Sequence, residues 1–468
     1  MKKKTIRPLG WALIALLLLS GAALGETPSQ VLGVREKLPN DLVWLFSRQA
    51  ELPLVTLQLL IKAGTLAEPR GKEGLANLTA ALLLSGTKSR SATQIAQELD
   101  FMGAKLGAQG GEDFASLTLT VLKKDLGPAL DLFKDVLLNP AFAPAEIKRK
   151  VAQFQASLES EEDEPMVVAG RAFARKLYGA FPYGHPALGT PQGLAAINRK
   201  DLAEFHQRYY RPNNAVLSVV GDLTQEEARQ WVSKVFGAWA AAPIKPPELP
   251  AIPPLARREV MVIDKDITQA NIILGNLGIA RHNPDFYAFQ VMNYILGGGG
   301  FASRLLDDIR VNRGLAYSVH SSLSPGLEPG PFTVTLETKN ASAAEAIQQV
   351  VEQLRQIMTK PVTEEELKDA KSYLIGSFPR KMDSMSKRAG LLGYVEVYGL
   401  GLDYPWRYPD LIQHLTPADV QKVAEKYLHP DNYLLVVVGK TSAMPSLPGA
   451  APGQKKEEKK DEKKQSGN

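Results

Sequence analysis

DLAEFHQRYYRPNNAVLSVVGD, residues Asp201 to Asp222, recurs without a gap as DVQKVAEKYLHPDNYLLVVVGK, residues Asp419 to Lys440, at an offset of 218 residues. Each copy reads as an amphipathic helix, a Pro-Asn or Pro-Asp-Asn turn, and a buried strand closed by glycine. Two unrelated helix–turn–strand units are the plainer explanation. The shared Tyr, Pro, Asn and Val-Val-Gly at one fixed spacing points instead to one unit used twice.

Working outward, AAAPIKPPELPAIPPLARR (residues 240–258) is dense in proline and lacks helical or strand periodicity, as expected of a semi-rigid extended linker. It separates a first domain, 26–239, from a second, 259–442, each near 200 residues and within the ordinary domain range. In the first domain, LVWLFSRQ and LVTLQLLIKAG read as opening strands and FASLTLTVL as an alternating one. Helices are expected over 74–84, 92–102, 127–138, 144–160 and 167–177. In the second, VMVIDK, ANIILGNLG and PFTVTLETK read as strands, with helices over 286–296, 342–358 and 364–375. The fold class is therefore α+β: two homologous domains, each a mainly antiparallel sheet with helices packed on one face.

The ends are different in kind. Lys2, Lys3, Lys4 and Arg7 precede the apolar run Leu9 to Leu19, and small residues follow, so residues 1–25 read as a signal peptide. The run is short for a membrane span, and an uncleaved inner-membrane anchor is the alternative reading. Export, most simply to a periplasm, is expected, with no membrane span once the leader is removed. Without the four leader cations, 51 Lys+Arg face 50 Asp+Glu, a near-neutral chain that argues against a nucleic-acid partner. The absence of cysteine rules out thiolate metal sites, iron–sulfur clusters, cysteine nucleophiles and a lipid-modified N-terminal cysteine. The tail, 443–468, ends in KKEEKKDEKKQSGN and reads as solvated and disordered.

Five blocks in order, LPNDL…LLIKAG, GLANLTAALLLSGT, YRPNNAVLSVVGD, LGGGGFASRLLDDIRVNRGLAYSV and YLHPDNYLLVVVG, cover the chain from Leu38 to about Lys440. In this combination the chain resembles the pitrilysin/insulinase family of peptidases, whose small members include the mitochondrial processing peptidase. The resemblance implies a clamshell of which this chain forms half. Active members carry H-x-x-E-H on a helix: two His at i and i+4 share one face and hold zinc, and the Glu activates the bound water. A Glu from a later helix completes the ligands and leaves one position open.

Against that motif, Asn77, Ala80 and Ala81 of GLANLTAALLLSGT fall where the first His, the Glu and the second His belong. The later Glu falls near Ser157, with Glu159 close by. A methyl group neither ligates zinc nor accepts a proton. The six histidines, His185, His206, His282, His320, His414 and His429, include no helical pair, and His185 and His429 read as turn residues. The resemblance therefore implies no metal in this chain, with zinc expected in a partner.

In LLDDIRVNRGLAYSV, Arg310 and Tyr317 match an Arg and a Tyr, seven residues apart, that in active members hold substrate and stabilise the oxyanion. Taken singly, each is more often a surface helix cation and an interior strand aromatic; their joint occurrence inside an intact block favours the substrate-facing reading. The run Gly297 to Gly300 lacks the Gly-Lys-Ser/Thr ending of a phosphate loop. Two readings of it stay open: a lining of the peptide chamber, in which Gly298 and Gly299 touch substrate, and turn chemistry alone. Three functions follow as expectations. One is the noncatalytic, substrate-binding subunit of an exported heterodimeric zinc peptidase, inactive alone and acting on peptides or unfolded proteins with a homologous zinc-bearing partner. The second is a peptide-binding or structural pseudoenzyme without such a partner. The third is a self-sufficient peptidase with an unfamiliar metal site.

Overall fold

A computed structural model describes residues 30–448; the leader expected over 1–25 and all but the first residues of the tail lie outside the described residues. The first half contributes β1 (Val34–Lys37), β2 (Val43–Arg48), β3 (Leu54–Ile61), β4 (Lys105–Gly110), β5 (Ala115–Leu122) and β6 (Ala215–Gly221). They form one sheet in the order β1-β2-β6-β3-β5-β4. The second half contributes β7 (Glu259–Asp264), β8 (Gln269–Leu277), β9 (Ala316–Leu323), β10 (Pro331–Lys339) and β11 (Leu434–Gly439), in the order β7-β11-β8-β10-β9. Apart from β1, the two orders are the same. Each sheet is antiparallel save for one parallel pair, β2 with β6 and β7 with β11. The repeat read from Asp201 and Asp419 is thus a repeat of topology, and the chain has the two-domain clamshell-type α+β fold. Residues 240–258 contain no helix or strand.

Local signals explain several element boundaries. The helix Ala92–Met102 starts at a capping box between Ser91 and Gln94 and stops at Gly103, which is left-handed at φ 59°. Strand β10 alternates inward Phe332, Val334 and Leu336 with half-exposed neighbours. One expected helix changes character: it is α-helical over Phe286–Asn293 and then widens to a π-turn over Tyr294–Gly298.

The sheets are covered in a way the sequence did not suggest. In each half, that half's own helices pack on one sheet face, and the other face receives a helix from the opposite half. Helix Pro165–Tyr178 lies on β8 and β11, burying Ala169, Phe173 and Leu177 against Ile273, Leu434, Val436 and Val438. Helix Met385–Val397 lies on β3 and β6, burying Leu391, Leu392 and Val395 with Val216 and Val220. This double cover makes β6 and β11 buried along their whole length, hence their unbroken apolar runs.

The two crossing helices are repeat equivalents: Ala169-Gly170 and Tyr178-Gly179 recur as Ala389-Gly390 and Tyr398-Gly399. Each terminal tyrosine bonds a hairpin loop of the other half. Tyr178 Oη donates to Pro329 O at 3.0 Å, and Tyr398 Oη donates to Asp113 Oδ2 at 2.9 Å. Asp113 is buried and also accepts from Tyr183 Oη and, at 2.9 Å, from Leu327 N. Burial and the neighbouring carboxylate push the Tyr183 and Tyr398 hydroxyls far above their ordinary range, so both remain donors.

Candidate functional site

The helix that carries Asn77, Ala80 and Ala81 spans Leu75–Leu82. Gly74 opens it at φ 101°, and a Cβ there would approach the Cα of Gly189 and the carbonyl of Leu188 to 2.9 Å. Gly74 has no side chain with which to cap the helix. The Glu68 carboxylate does so from outside, accepting from Gly74 N at 3.1 Å and from Ala76 N at 2.8 Å. Burial pushes Glu68 up to about 8, against the opposing pull of those two amides. His185 Nε2 lies 3.7 Å from Glu68 Oε2, and burial lowers the imidazole below its ordinary value.

On this helix the face that carries Asn77 and Ala80 is a packing face. Asn77 Oδ1 accepts from Gly110 N at 2.9 Å, and a Cβ on Gly110 would come within 2.5 Å of Asn77 Cα, so the end of β4 is pressed onto the helix. Ala80 has no exposed surface, and Ala81 is half-buried. Ser157 lies on the helix Pro144–Ser160, exposed, its hydroxyl donating back to Gln153 O at 3.1 Å. A metal here would have an amide oxygen already engaged, two methyl groups and a serine, and this donor set does not fit zinc. Among the described residues, no group of three or more His, Asp or Glu is placed to hold a metal ion elsewhere.

The second-half site is built from two irregularities. Arg310 lies in a π-helical turn, Leu306–Asn312, and Tyr317 lies on β9, the edge strand of its sheet. The pairing of β10 with β9 passes from Glu337–Ser318 to Thr338–Ala316, so Tyr317 is the extra residue of a β-bulge. A bulge re-aims the side chain it carries, and π-turns and bulges both concentrate at functional sites. Gly314, left-handed at φ 63°, turns the chain between them, and Leu315 N donates to Ile309 O at 2.9 Å to close the turn.

The result brings Arg310 over the Tyr317 ring, 4.7 Å from guanidinium carbon to ring centroid. The same guanidinium lies 5.1 Å from the Phe301 centroid. Both rings are 74% exposed. Among the described residues, the Arg310 side chain has no hydrogen bond or ion pair, whereas Arg304, on the same segment, is held by both oxygens of Glu366. The arrangement can offer several N–H donors and a phenol to an incoming oxygen.

The glycine run packs tightly. A Cβ on Gly297 would lie 2.6 Å from Ser321 N on β9, one on Gly298 would lie 2.7 Å from Asn293 Nδ2, and one on Gly299 would lie 2.9 Å from the Tyr294 ring. Gly300 meets nothing but is left-handed at φ 59°. Sequence reading passed over Glu68, Asp113 and Phe301. Of these, only Phe301 carried a signal, a large apolar residue at the end of a glycine run.

Residues 45–191 match the family described as insulinase (peptidase family M16), and residues 196–374 match the peptidase M16 inactive domain. The chain is 31% identical to the peptidase M16 inactive domain from Pseudomonas fluorescens, whose structure superposes with a TM-score of 0.82 over 88% of this chain and 100% of that one. It is 26% identical over 388 residues to a protein of Helicobacter pylori described as the non-peptidase homolog YmxG, covering 83% of this chain and 89% of the relative. It is likewise 26% identical over 397 residues to the uncharacterized zinc protease YmxG of Bacillus subtilis, covering 84% and 94%. With its matches running through both halves, this chain belongs to the insulinase-like M16 peptidase family as an inactive member.

Proposed function

We propose that this chain is the noncatalytic, substrate-binding subunit of an exported two-chain zinc peptidase, and that it presents Arg310 and Tyr317 to the zinc site of a homologous partner. One observation carries this reading: a guanidinium without a polar partner among the described residues, held over an exposed tyrosine on a bulged edge strand. When a peptide bond is attacked, its carbonyl oxygen gains negative charge, and an Arg and a Tyr are donors suited to receive it. The peptide or unfolded protein would lie extended in the clamshell, pairing its backbone with a sheet edge beside Gly298 and Gly299. Zinc and its activating Glu would come from the partner. Export, most simply to a periplasm, is supported by the leader sequence.

The test is reconstitution. Mixing the mature chain with a homologue that bears H-x-x-E-H should give peptide hydrolysis that neither chain shows alone. In that complex Arg310→Ala should lower kcat by roughly a hundredfold, the scale of removing one oxyanion donor, and Tyr317→Phe by a smaller factor. Unaltered assembly with unaltered turnover in both variants would rule the oxyanion role out. Peptide binding by the isolated chain, with no gain in hydrolysis on mixing, would favour the pseudoenzyme reading.

A further inference from the structure

Arg310 raises a physical question that its role as a donor does not answer. A long, flexible side chain without a carboxylate or carbonyl partner spreads over many rotamers, and each donor then has to be ordered when substrate arrives. Among the described residues, the contacts that order Arg310 are the rings of Tyr317 and Phe301. Tyr317 is positioned by the bulge in β9. Phe301 is positioned by its own turn: Gly300 takes φ 59°, and Ser303, buried to 1% exposure, donates its hydroxyl to Gly300 O at 2.6 Å. That turn holds Phe301 out at 74% exposure, so the ring does not serve the core.

We propose that Phe301 is a positioning residue for Arg310: with Tyr317 it holds the guanidinium in place, so that its N–H donors meet a peptide oxygen already ordered. The catalytic consequence rests on the reading that Arg310 faces the bond being cleaved. The holding itself does not. A single exposed cation–π contact corresponds to about a two- to fivefold change in the population of the held rotamer.

The full mature chain carrying Phe301→Ala, Phe301→Leu or Phe301→Tyr tests both parts. In the isolated chain, the rate at which phenylglyoxal modifies Arg310 is read by peptide mass spectrometry, with Arg304 as the ion-paired internal control. Modification of Arg310 should accelerate about two- to fivefold in the Ala and Leu variants, return to the slow rate with Tyr, and leave Arg304 unchanged. An unchanged Arg310 rate in Phe301→Ala, or a Leu variant as slow as the Tyr variant, overturns the proposal, because bulk rather than an aromatic face would then suffice. In the reconstituted peptidase the Ala and Leu variants should lose about two- to fivefold in kcat with KM unchanged, and Tyr should restore it. Accelerated modification with unchanged kcat would leave Phe301 holding Arg310 and overturn the placement of Arg310 at the scissile bond.

Discussion

Tyr178 and Tyr398 occupy the same place in the two repeats, yet one bonds a neutral carbonyl and the other a buried carboxylate. Removing the hydroxyl in each case deletes one bond across the junction between halves. A neutral bond contributes about 0.5–1.5 kcal/mol and a bond to a charged group about 1.5–3 kcal/mol. Tyr398→Phe should therefore destabilise by about 1 kcal/mol more than Tyr178→Phe. Asp113→Ala removes the acceptor for Tyr183 Oη, Tyr398 Oη and Leu327 N together, and the stranded donors cost about 1–3 kcal/mol each. The assay is urea denaturation followed by tryptophan fluorescence and circular dichroism. Trp44, Trp231 and Trp239 report on the first half and Trp406 on the second. Because each sheet is roofed by a helix from the other half, the probes should move together, which licenses a single free energy. A double-mutant cycle of Tyr398→Phe with Asp113→Asn isolates the shared term. Equal losses from the two tyrosine variants, or additivity within about 0.3 kcal/mol in the cycle, would refute the carboxylate-centred junction.

Three other outcomes follow from the geometry. Restoring the motif with N77H/A80E/A81H should not give tight zinc binding by metal analysis, since Ser157 supplies no carboxylate, and the glutamate introduced at the fully buried position 80 should cost several kcal/mol, about 2 or more. Glu68 is raised from 4.5 to about 8, so folding takes up a proton at this group; its contribution is complete below the unfolded pKa and is lost as pH rises through about 8. Stability should then decline from mildly acidic to alkaline pH, and Glu68→Gln should flatten that decline; an unchanged slope in the denaturation midpoints would show that Glu68 is ionised throughout. Gly297→Ala pushes a methyl against the β9 backbone, whereas Gly300→Ala meets open space at a left-handed φ. The first should cost about 1–3 kcal/mol and the second about 1, and a reversed order in thermal melts would contradict the packing.

The legible parts of this fold are those written in local chemistry. The helix Ala92–Met102 and strand β10 match their expected ranges to the residue, because a capping box, a terminal glycine and strict alternation mark them. The π-turn at Tyr294–Gly298 was not legible, since i→i+5 bonding leaves no periodicity of its own in so short a run. Nor was the bulge at Tyr317, which exists only relative to the partner strand. The crossing helices did leave a trace, the Ala-Gly and Tyr-Gly pairs at an offset of 220, but helices Arg199–Tyr209 and Pro417–Tyr427 match at 218, so a single-offset comparison misses it. At the site, the sequence supplies the identities of Asn77, Ala80 and Ala81, but not that Asn77 bonds the end of β4. Nor does it supply that Arg310 lies over Tyr317, because seven residues of sequence separation say nothing about contact until Gly314 turns the chain.

The two halves differ in how far they satisfy themselves, and that asymmetry separates the two readings of the second half. In the first half, the residues expected at the motif positions are taken up locally: Asn77 bonds Gly110, Ala80 is buried, Ala81 is half-buried and Ser157 bonds its own helix. In the second, a π-turn and a bulge display an arginine that has no acceptor among the described residues, beside two exposed rings. Stability in proteins is marginal, and irregular backbone and exposed aromatic surface both draw on it. A subunit kept only for packing gains nothing from these features; regularising β9 and replacing Phe301 by a polar residue would then be neutral or stabilising. The same changes in a substrate-presenting subunit trade stability for lost turnover. A variant with Phe301→Ser should therefore melt no lower than the parent yet hydrolyse peptide more slowly in the reconstituted complex, and a lower melting temperature with full activity would assign the second half, too, to packing.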